Sequence, residues 1–187
     1  MAQKRKDWNG LISGFKASDL VFLDESGCNT DMTRRYADSL GGSRAVDSAP
    51  LSKPKNTTIL PSIQLDGTLR YTTFSGGTTV ERFKRYLETD LLPHLNGNSV
   101  LIMDNMKSHH ARAVRNLLDS SEVRCIYLPP YSPDLNPIEK LWSKVKSFLR
   151  KFKARTLDAL PNAIQNAFHS VTISDCSGWF RFCGYAL

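Results

Sequence analysis

Two short apolar runs, each followed directly by an aspartate, constrain the fold of this chain more than any other feature. Residues 20–23 read LVFL before Asp24, and residues 100–103 read VLIM before Asp104. Such runs predict strands buried on both faces of a sheet. A carboxylate there is costly unless it is paired or binds a metal ion, although either acid alone could simply open a solvent-exposed loop. Glu25 is the rival of Asp24, because neighbouring side chains on a strand point to opposite faces.

The rest of the chain predicts a mixed sheet covered by helices. Residues 57–64 and 68–74, joined at Asp66 and Gly67, predict an antiparallel hairpin. Further patterns predict a strand at 123–128, a short strand near 44–49 in an otherwise irregular excursion at 26–55, and helices at 78–95, 111–118, 137–153 and 157–171. This order predicts one α/β domain over residues 1–187, with an RNase H-like core at about 20–153 and a helical extension at 154–187. Its sheet is expected to be mixed and five-stranded, with the antiparallel hairpin beside parallel strands and helices on its flanks.

A third acid begins one of the predicted helices. Asn136 and Pro137 are typical of an N-cap and a first helical residue, so Glu139 is the third residue of the helix. At that position a glutamate can complete a capping interaction and meet the positive end of the helix dipole. If the helix packs across the sheet edge, its first turn instead brings Glu139 to Asp24 and Asp104. Three carboxylates there would bind two Mg²⁺ or Mn²⁺ ions suited to phosphoryl displacement.

Composition points to an anionic partner. The 25 Lys and Arg residues exceed the 18 Asp and Glu residues, and the formal charge of +7 favours nucleic acid. No apolar run approaches the roughly 20 residues that cross a bilayer, and no signal-peptide stretch follows the basic N-terminus. The four cysteines are scattered without the spacing of a zinc site. We therefore expect a cytoplasmic or nucleoid-associated protein with no membrane partner.

Three stretches of the sequence resemble the catalytic domain of DDE transposases of the mariner-like superfamily, in its bacterial insertion-sequence branch. They are VFLDESG around Asp24, LIMDNMKSH around Asp104, and YLPPYSPDLNPIEKLW leading to Glu139. The third stretch is the most specific. The 34 residues at 105–138, between the second and third acids, match the interval of that superfamily. The resemblance covers about residues 20–153.

The resemblance implies a chemistry and a set of site residues. It implies an RNase H-like fold in which two Mg²⁺ (or Mn²⁺) ions are held by Asp24, Asp104 and Glu139. Water first cleaves DNA at the element ends, and the freed 3′-hydroxyl then attacks target DNA, often at a TA step, without a covalent protein–DNA intermediate. His109 matches the histidine that follows the Asp-Asn pair of these proteins and is expected near the scissile phosphate. The open alternative is a hydrogen-bonded loop histidine, and the neighbouring His110 has no such match.

The implied partner is DNA, both element ends and target, bound in a homodimeric synaptic complex. Lys146 and Arg150 share a helix face with Glu139, which predicts phosphate contacts, with a solvated basic face as the alternative. Other candidate DNA contacts lie where relatives carry an Arg-rich segment, although the local sequence departs from the usual form: Arg34, Arg35 and Arg44.

Full-length relatives carry an N-terminal helix-turn-helix region that recognises the terminal repeats. Only about 19 residues precede the first predicted strand, too few for such a domain, so we expect it on a separate subunit or reading frame. Two other functions stay open. One is an RNase H or resolvase-type nuclease, which the proline-rich stretch argues against. The other is an inactive DNA-binding remnant, which the retention of all three acids argues against.

Overall fold

The computed structural model describes residues 2–34, 36, 38–48 and 54–185, and it contains a mixed sheet with helices on both faces. The strands are β1 (Leu20–Leu23), β2 (Ser26–Cys28), β3 (Thr57–Ile63), β4 (Leu69–Ser75), β5 (Val100–Met103) and β6 (Arg124–Tyr127). The helices are α1 (Ala2–Ile12), α2 (Val80–Tyr86), α3 (Arg112–Asp119), α4 (Pro137–Phe152), α5 (Leu160–His169) and α6 (Ile173–Phe182). No helix in these ranges is long and apolar enough to span a lipid bilayer.

The six strands fill five positions in the sheet. Strand β4 pairs antiparallel with one edge of β3, and both β1 and β2 pair antiparallel with its other edge. The register is the same for β1 and β2, because Leu23 lies opposite Ser62 and Ser26 lies opposite Ile59. Parallel pairs of β1 with β5 and of β5 with β6 complete the sheet. The predicted five-stranded arrangement of an antiparallel hairpin beside parallel strands is therefore confirmed.

The interruption between β1 and β2 has a local cause in Pro61. The backbone N–H of Asp24 donates to the carbonyl of Pro61 at 3.4 Å. Pro61 has no N–H, so the return bond of that antiparallel pair cannot form. The ladder is broken at this point, and the acid that ends β1 sits at the break.

The pleat of β1 assigns its two neighbouring acids to different faces. Leu20 and Phe22 pack in the core formed with α4, α5 and α6, whereas Val21 and Leu23 pack in the core formed with α2 and α3. By the same alternation Asp24 faces the α4 layer and the next residue, Glu25, faces the α2–α3 layer. Only Asp24 can therefore lie on the same side as the N-terminus of α4.

The C-terminal helices belong to the same core as the sheet. The Phe22 ring lies 5.3 Å from that of Phe180 in α6 and 5.0 Å from that of Tyr185, measured between centroids. Helix α6 lies in the helical extension predicted at 154–187, α5 is shorter than predicted, and α1 was not predicted. Helix α4 ends at Phe152, one residue short of the predicted end at 153, and the Phe152 side chain is 46% exposed.

The excursion after β2 contradicts one expectation. No strand forms at residues 44–48, the described part of the predicted strand near 44–49. The guanidinium of Arg155 donates to the backbone carbonyls of Thr30, Met32 and Ser48. Of these carbonyls, that of Ser48 lies in the predicted strand, and it is bound by a side chain rather than by a neighbouring strand.

Candidate active site

The three predicted acids line one cleft of about 660 Å³ at the carboxyl ends of β1 and β5. In the parallel register Leu23 lies opposite Met103, and the next residues in that register are Asp24 and Asp104. The two carboxylates therefore leave neighbouring strands on the same face of the sheet. Glu139 enters the same cleft from the first turn of α4.

Asn136 links the N-terminus of α4 to the first acid. Its Oδ1 accepts the N–H of Ile138 at 3.2 Å, and its Nδ2 donates to Oδ2 of Asp24 at 3.2 Å. The side chain is only 4% exposed, so both bonds are shielded from water. The predicted N-cap is confirmed, with Pro137 as the first helical residue. The contact with Asp24 was not predicted, because its only signal in the sequence is the place of Asn136 in the proline-rich stretch.

Glu139 does not complete a capping box. The backbone N–H of Asn136, which such a glutamate would bind, donates instead to the carbonyl of Pro133 at 3.1 Å. Among the described residues, no hydrogen bond or ion pair of the Glu139 carboxylate is present. This exposed carboxylate is therefore free to take a ligand in the cleft, and the capping interpretation is wrong.

The first two acids differ in charge environment. The pKa of Asp24 is raised to about 7, mainly by burial and also by the charges of Asp104, Glu139 and Glu25, against a hydrogen bond from the Glu25 N–H that lowers it. Burial also acts to raise the pKa of Asp104, but hydrogen bonds from His109 and from a backbone N–H hold it below the usual value. Negative charge in the cleft is thus unbalanced beside Asp24, where a cation would relieve it.

The acids do not form a closed set of metal ligands as they stand. Within the described part of the chain, no three acidic, histidine or cysteine side chains are arranged to hold a common metal ion. Their chemistry nevertheless suits a hard divalent cation, since the acids offer carboxylate oxygens and no histidine or cysteine is among the described residues that line the cleft. The donor set fits Mg²⁺ or Mn²⁺ better than zinc.

His109 lies beneath the cleft and bridges two carboxylates. Its Nδ1 is 2.9 Å from Oδ1 of Asp104, its Nε2 is 3.1 Å from Oε2 of Glu25, and its ring stacks on Phe83 at 4.2 Å. Burial acts to lower the pKa of His109, but the hydrogen bonds to the two carboxylates outweigh it and raise the pKa to about 9. The imidazole is therefore a cation at neutral pH, with both ring nitrogens donating.

The predicted place of His109 beside the scissile phosphate does not fit this geometry. Its side chain is 0% exposed and is not among the residues that line the cleft. The alternative of a hydrogen-bonded loop histidine agrees with the contacts. What the sequence did not indicate is the second partner, Glu25, which follows Asp24 but points to the opposite face of the sheet.

The loop at residues 128–136, which we call the proline-rich loop, forms one wall of the cleft. Arg5 of α1 donates to the hydroxyl of Ser132 at 3.3 Å and pairs with the carboxylate of Asp134. On the other side of the loop, Tyr185 donates its hydroxyl to the carbonyl of Leu135 at 2.5 Å. The wall is therefore held by both ends of the described chain.

A second, basic cleft of about 930 Å³ adjoins the first. Arg34, Lys146 and Arg150 line it, and Lys146 also lines the cleft of the three acids. The structure thus brings together three of the five basic residues predicted to contact DNA. Arg44 is exposed but lines neither cleft, and Arg35 lies outside the described residues.

Comparisons with known proteins agree with this fold. The family model described as DDE superfamily endonuclease matches residues 19–161. The Transposable element Tc1 transposase of Caenorhabditis elegans is 30% identical over 97 residues, which cover 50% of this chain and 36% of that protein. The chain therefore spans about a third of the length of this curated relative.

Solved structures of the Mos1 transposase share the fold. Its paired-end complex with the left transposon end has a TM-score of 0.80 at 19% identity, covering 95% of this chain and 57% of that one. Its paired-end complex with Mg has a TM-score of 0.72 at 18% identity, covering 97% and 57%. These likenesses confirm the mixed α/β, RNase H-like fold. Because the family model matches well over half of the residues, the chain belongs to the DDE superfamily endonucleases.

Proposed function

We propose that this chain is the catalytic domain of a DNA transposase, which cleaves DNA strands and joins the freed ends to target DNA. The observation that carries the proposal is the meeting of Asp24, Asp104 and Glu139 in one cleft of a DDE endonuclease fold. The similarity to the Tc1 and Mos1 transposases supports it. Membership of the bacterial insertion-sequence branch, and with it a cytoplasmic, nucleoid-associated location, rests on the sequence resemblance.

We propose that Asp24, Asp104 and Glu139 hold Mg²⁺ or Mn²⁺, two ions per site. Carboxylate oxygens suit these ions, and the raised pKa of Asp24 marks a place where positive charge is missing. Complexes of Mos1 were solved with Mg and with Mn, which supports a divalent cation here. When bound, such ions supply Lewis acidity at the attacking and leaving oxygens of the phosphodiester.

The other side chains in and under the cleft would then act by orienting the acids. Asn136 fixes one oxygen of Asp24 and so sets the distance between the sheet edge and α4. His109, held by Glu25, fixes Asp104 from below. Both are positioning residues in this proposal, since neither needs to touch DNA. Water and a 3′-hydroxyl serve as nucleophiles, so no covalent link to the protein is required.

We also propose that the DNA is bound as paired element ends in a homodimeric complex. The Mos1 structures are paired-end complexes, and this chain covers 57% of the Mos1 chain. A helix-turn-helix module on a separate subunit or reading frame would select the ends. In this domain Arg34, Lys146 and Arg150 would hold backbone phosphates next to the acids.

A joining assay tests the proposed activity. The protein is incubated with Mg²⁺ or Mn²⁺, a supercoiled plasmid and a labelled duplex that ends in a free 3′-hydroxyl. We expect labelled duplex covalently joined to plasmid, with no product when EDTA replaces the metal. An RNA–DNA hybrid is the parallel substrate, because an RNase H-type nuclease on the same fold would cut it. Hydrolysis of the hybrid without any joining would contradict the transposase proposal in favour of that nuclease.

The basic cleft makes a separate prediction about binding. Lys146→Ala is expected to weaken binding of a 30-base-pair duplex by about threefold to tenfold at low salt and to reduce the salt slope by about 1. The reason is that Lys146 lines both clefts and lies between the acids and the other basic residues. Fluorescence anisotropy at several salt concentrations measures both quantities.

Lys140→Ala is the matched control for this prediction. Lys140 lies on the same helix, but its ammonium sits 3.7 Å from the centroid of the Phe182 ring, away from both clefts. The Lys140→Ala variant loses the same charge as Lys146→Ala, but its DNA affinity and salt slope should stay near those of the unmodified protein. Equal losses from both variants would show that net charge, rather than the basic cleft, governs binding.

A further inference from the structure

The side chain of Tyr131 projects from the rim of the catalytic cleft. It lies in the proline-rich loop, lines the cleft and is 85% exposed. Its backbone has a φ of 55°, in the left-handed region that tyrosine rarely adopts. Among the described residues its ring stacks on no other aromatic ring and its hydroxyl has no hydrogen-bond partner. Ring stacking and hydrogen bonds of the Tyr131 side chain with the described residues therefore do not explain its conformation.

The loop holds this conformation from both sides. The Leu128 N–H donates to the carbonyl of Met103 at 2.9 Å, which ties the start of the loop to β5 beside the acids. Directly after Tyr131, the side chain of Ser132 is buried and its hydroxyl accepts from Arg5. Pro130 fixes its own φ immediately before. The exposed ring is thus carried on an anchored backbone, in a strained conformation of the kind found at ligand-binding sites.

A flat aromatic face beside a DNA-cleaving site has one natural ligand chemistry. Aromatic side chains stack on unpaired bases whatever their identity, because every base has a π-face. A base within a duplex has both faces covered by its neighbours and cannot stack in this way. The adjoining basic cleft would supply phosphate contacts, and Lys146 lines both clefts, so Tyr131 and Lys146 both border the cleft that a strand would enter.

We propose that Tyr131 stacks on an unpaired base next to the phosphodiester that enters the cleft, and so positions that strand over the acids. This inference rests on the proposed function, because it assumes a DNA strand in the cleft. Tyr131 is a positioning residue for single-stranded or unpaired DNA and does not take part in bond making. The stacked base is expected to lie at the end of a strand or to be displaced from the duplex.

Three variants separate the ring from the backbone. Tyr131→Gly removes the ring and suits a positive φ, so its melting temperature should equal or exceed that of the unmodified protein. Tyr131→Phe keeps the face and removes the hydroxyl, and Tyr131→Trp enlarges the face. The probe is a 20-base-pair duplex with a three-nucleotide 3′ overhang that carries one 2-aminopurine. The control probe has 2-aminopurine paired inside a blunt duplex of equal length.

Stacking is read as quenching of the 2-aminopurine fluorescence, and affinity by titration in Ca²⁺, which allows binding without cleavage. We expect quenching of the overhang probe by the unmodified protein and by the Phe and Trp variants, and little by Tyr131→Gly. The Gly variant should bind the overhang probe at least about fivefold more weakly and the blunt probe equally well. Equal quenching by the Gly variant, loss of quenching in the Phe variant, or equal weakening on both probes would overturn the inference.

The same protein preparations are tested in the joining assay, which separates the two proposals. Joining by the unmodified protein together with equal quenching by Tyr131→Gly would remove the stacking role and leave the transposase proposal intact. Selective quenching that depends on the ring, without cleavage or joining, would leave a base-stacking DNA-binding domain and remove the catalytic proposal.

Discussion

Asp104→Asn is expected to lower metal-dependent DNA cleavage and joining by a factor of about 10³ or more, with the DNA dissociation constant changed less than about twofold. Asp104 directly follows β5 and lines the cleft, and its carboxylate is oriented by the buried His109. Asparagine keeps the size of the side chain and one oxygen but removes the charge that would hold a divalent cation. Single-turnover cleavage of a labelled duplex measures the loss, and anisotropy in Ca²⁺ measures binding.

The other two acids are expected to behave in the same way. Asp24→Asn and Glu139→Gln should each abolish the reaction, whereas Asp119→Asn removes an equal charge from an exposed site at the end of α3 and should leave it unchanged. Mg²⁺ should also raise the melting temperature of the unmodified protein, since it binds only the folded state, and raise that of the three variants much less. Near-normal cleavage by any one variant would exclude that residue from the catalytic set.

The positions of the three acids in the fold could be predicted because each is marked by a local pattern, whereas their shared role was implied by the family resemblance. Asp24 and Asp104 follow unbroken apolar strands, and a shared parallel register then places them side by side. Asn136 and Pro137 mark the start of α4, which fixes Glu139 in its first turn. Period and capping chemistry act over a few residues, so one sequence is enough to recognise them.

The contacts that support the acids could not be predicted in this way. Asn136 and Asp24 are 112 positions apart, and His109 and Glu25 are 84 positions apart. No periodicity or cap connects such pairs, because they depend on how α4 and the loop after β5 pack on the finished sheet. The excursion shows the same limit, since residues 44–48 form no strand and the carbonyl of Ser48 accepts from the distant Arg155 instead.

His109→Ala is expected to be the most damaging change outside the three acids. It should lower the free energy of unfolding by about 3–5 kcal/mol, because the buried cation that bridges Asp104 and Glu25 is lost and both carboxylates are left without it. The loss of this partner destabilises the Glu25 carboxylate most, since its other oxygen is already buried without a hydrogen-bond partner in the described structure. Urea unfolding without metal measures this loss.

Activity should fall as well, by about tenfold to a hundredfold, the usual cost of removing a group that orients a metal ligand. A positioning role predicts in addition that the variant needs more Mg²⁺ for half-maximal cleavage while DNA affinity stays the same. His109→Gln, which can donate to only one of the two carboxylates, should recover part of the stability and part of the Mg²⁺ response. Cleavage rates across a range of Mg²⁺ concentrations test both statements.

His110→Ala is the matched control for these changes. The neighbouring ring is partly exposed, packs 4.2 Å from Tyr127 and forms no ion pair with the acids among the described residues. Its loss should therefore affect stability far less and leave the Mg²⁺ response unchanged. If His109→Ala were as stable as the unmodified protein and responded to Mg²⁺ in the same way, the position of the Asp104 carboxylate would not depend on the imidazole that bridges it to Glu25. If stability fell while the Mg²⁺ response of folded protein stayed normal, His109 would support the fold without positioning the acid.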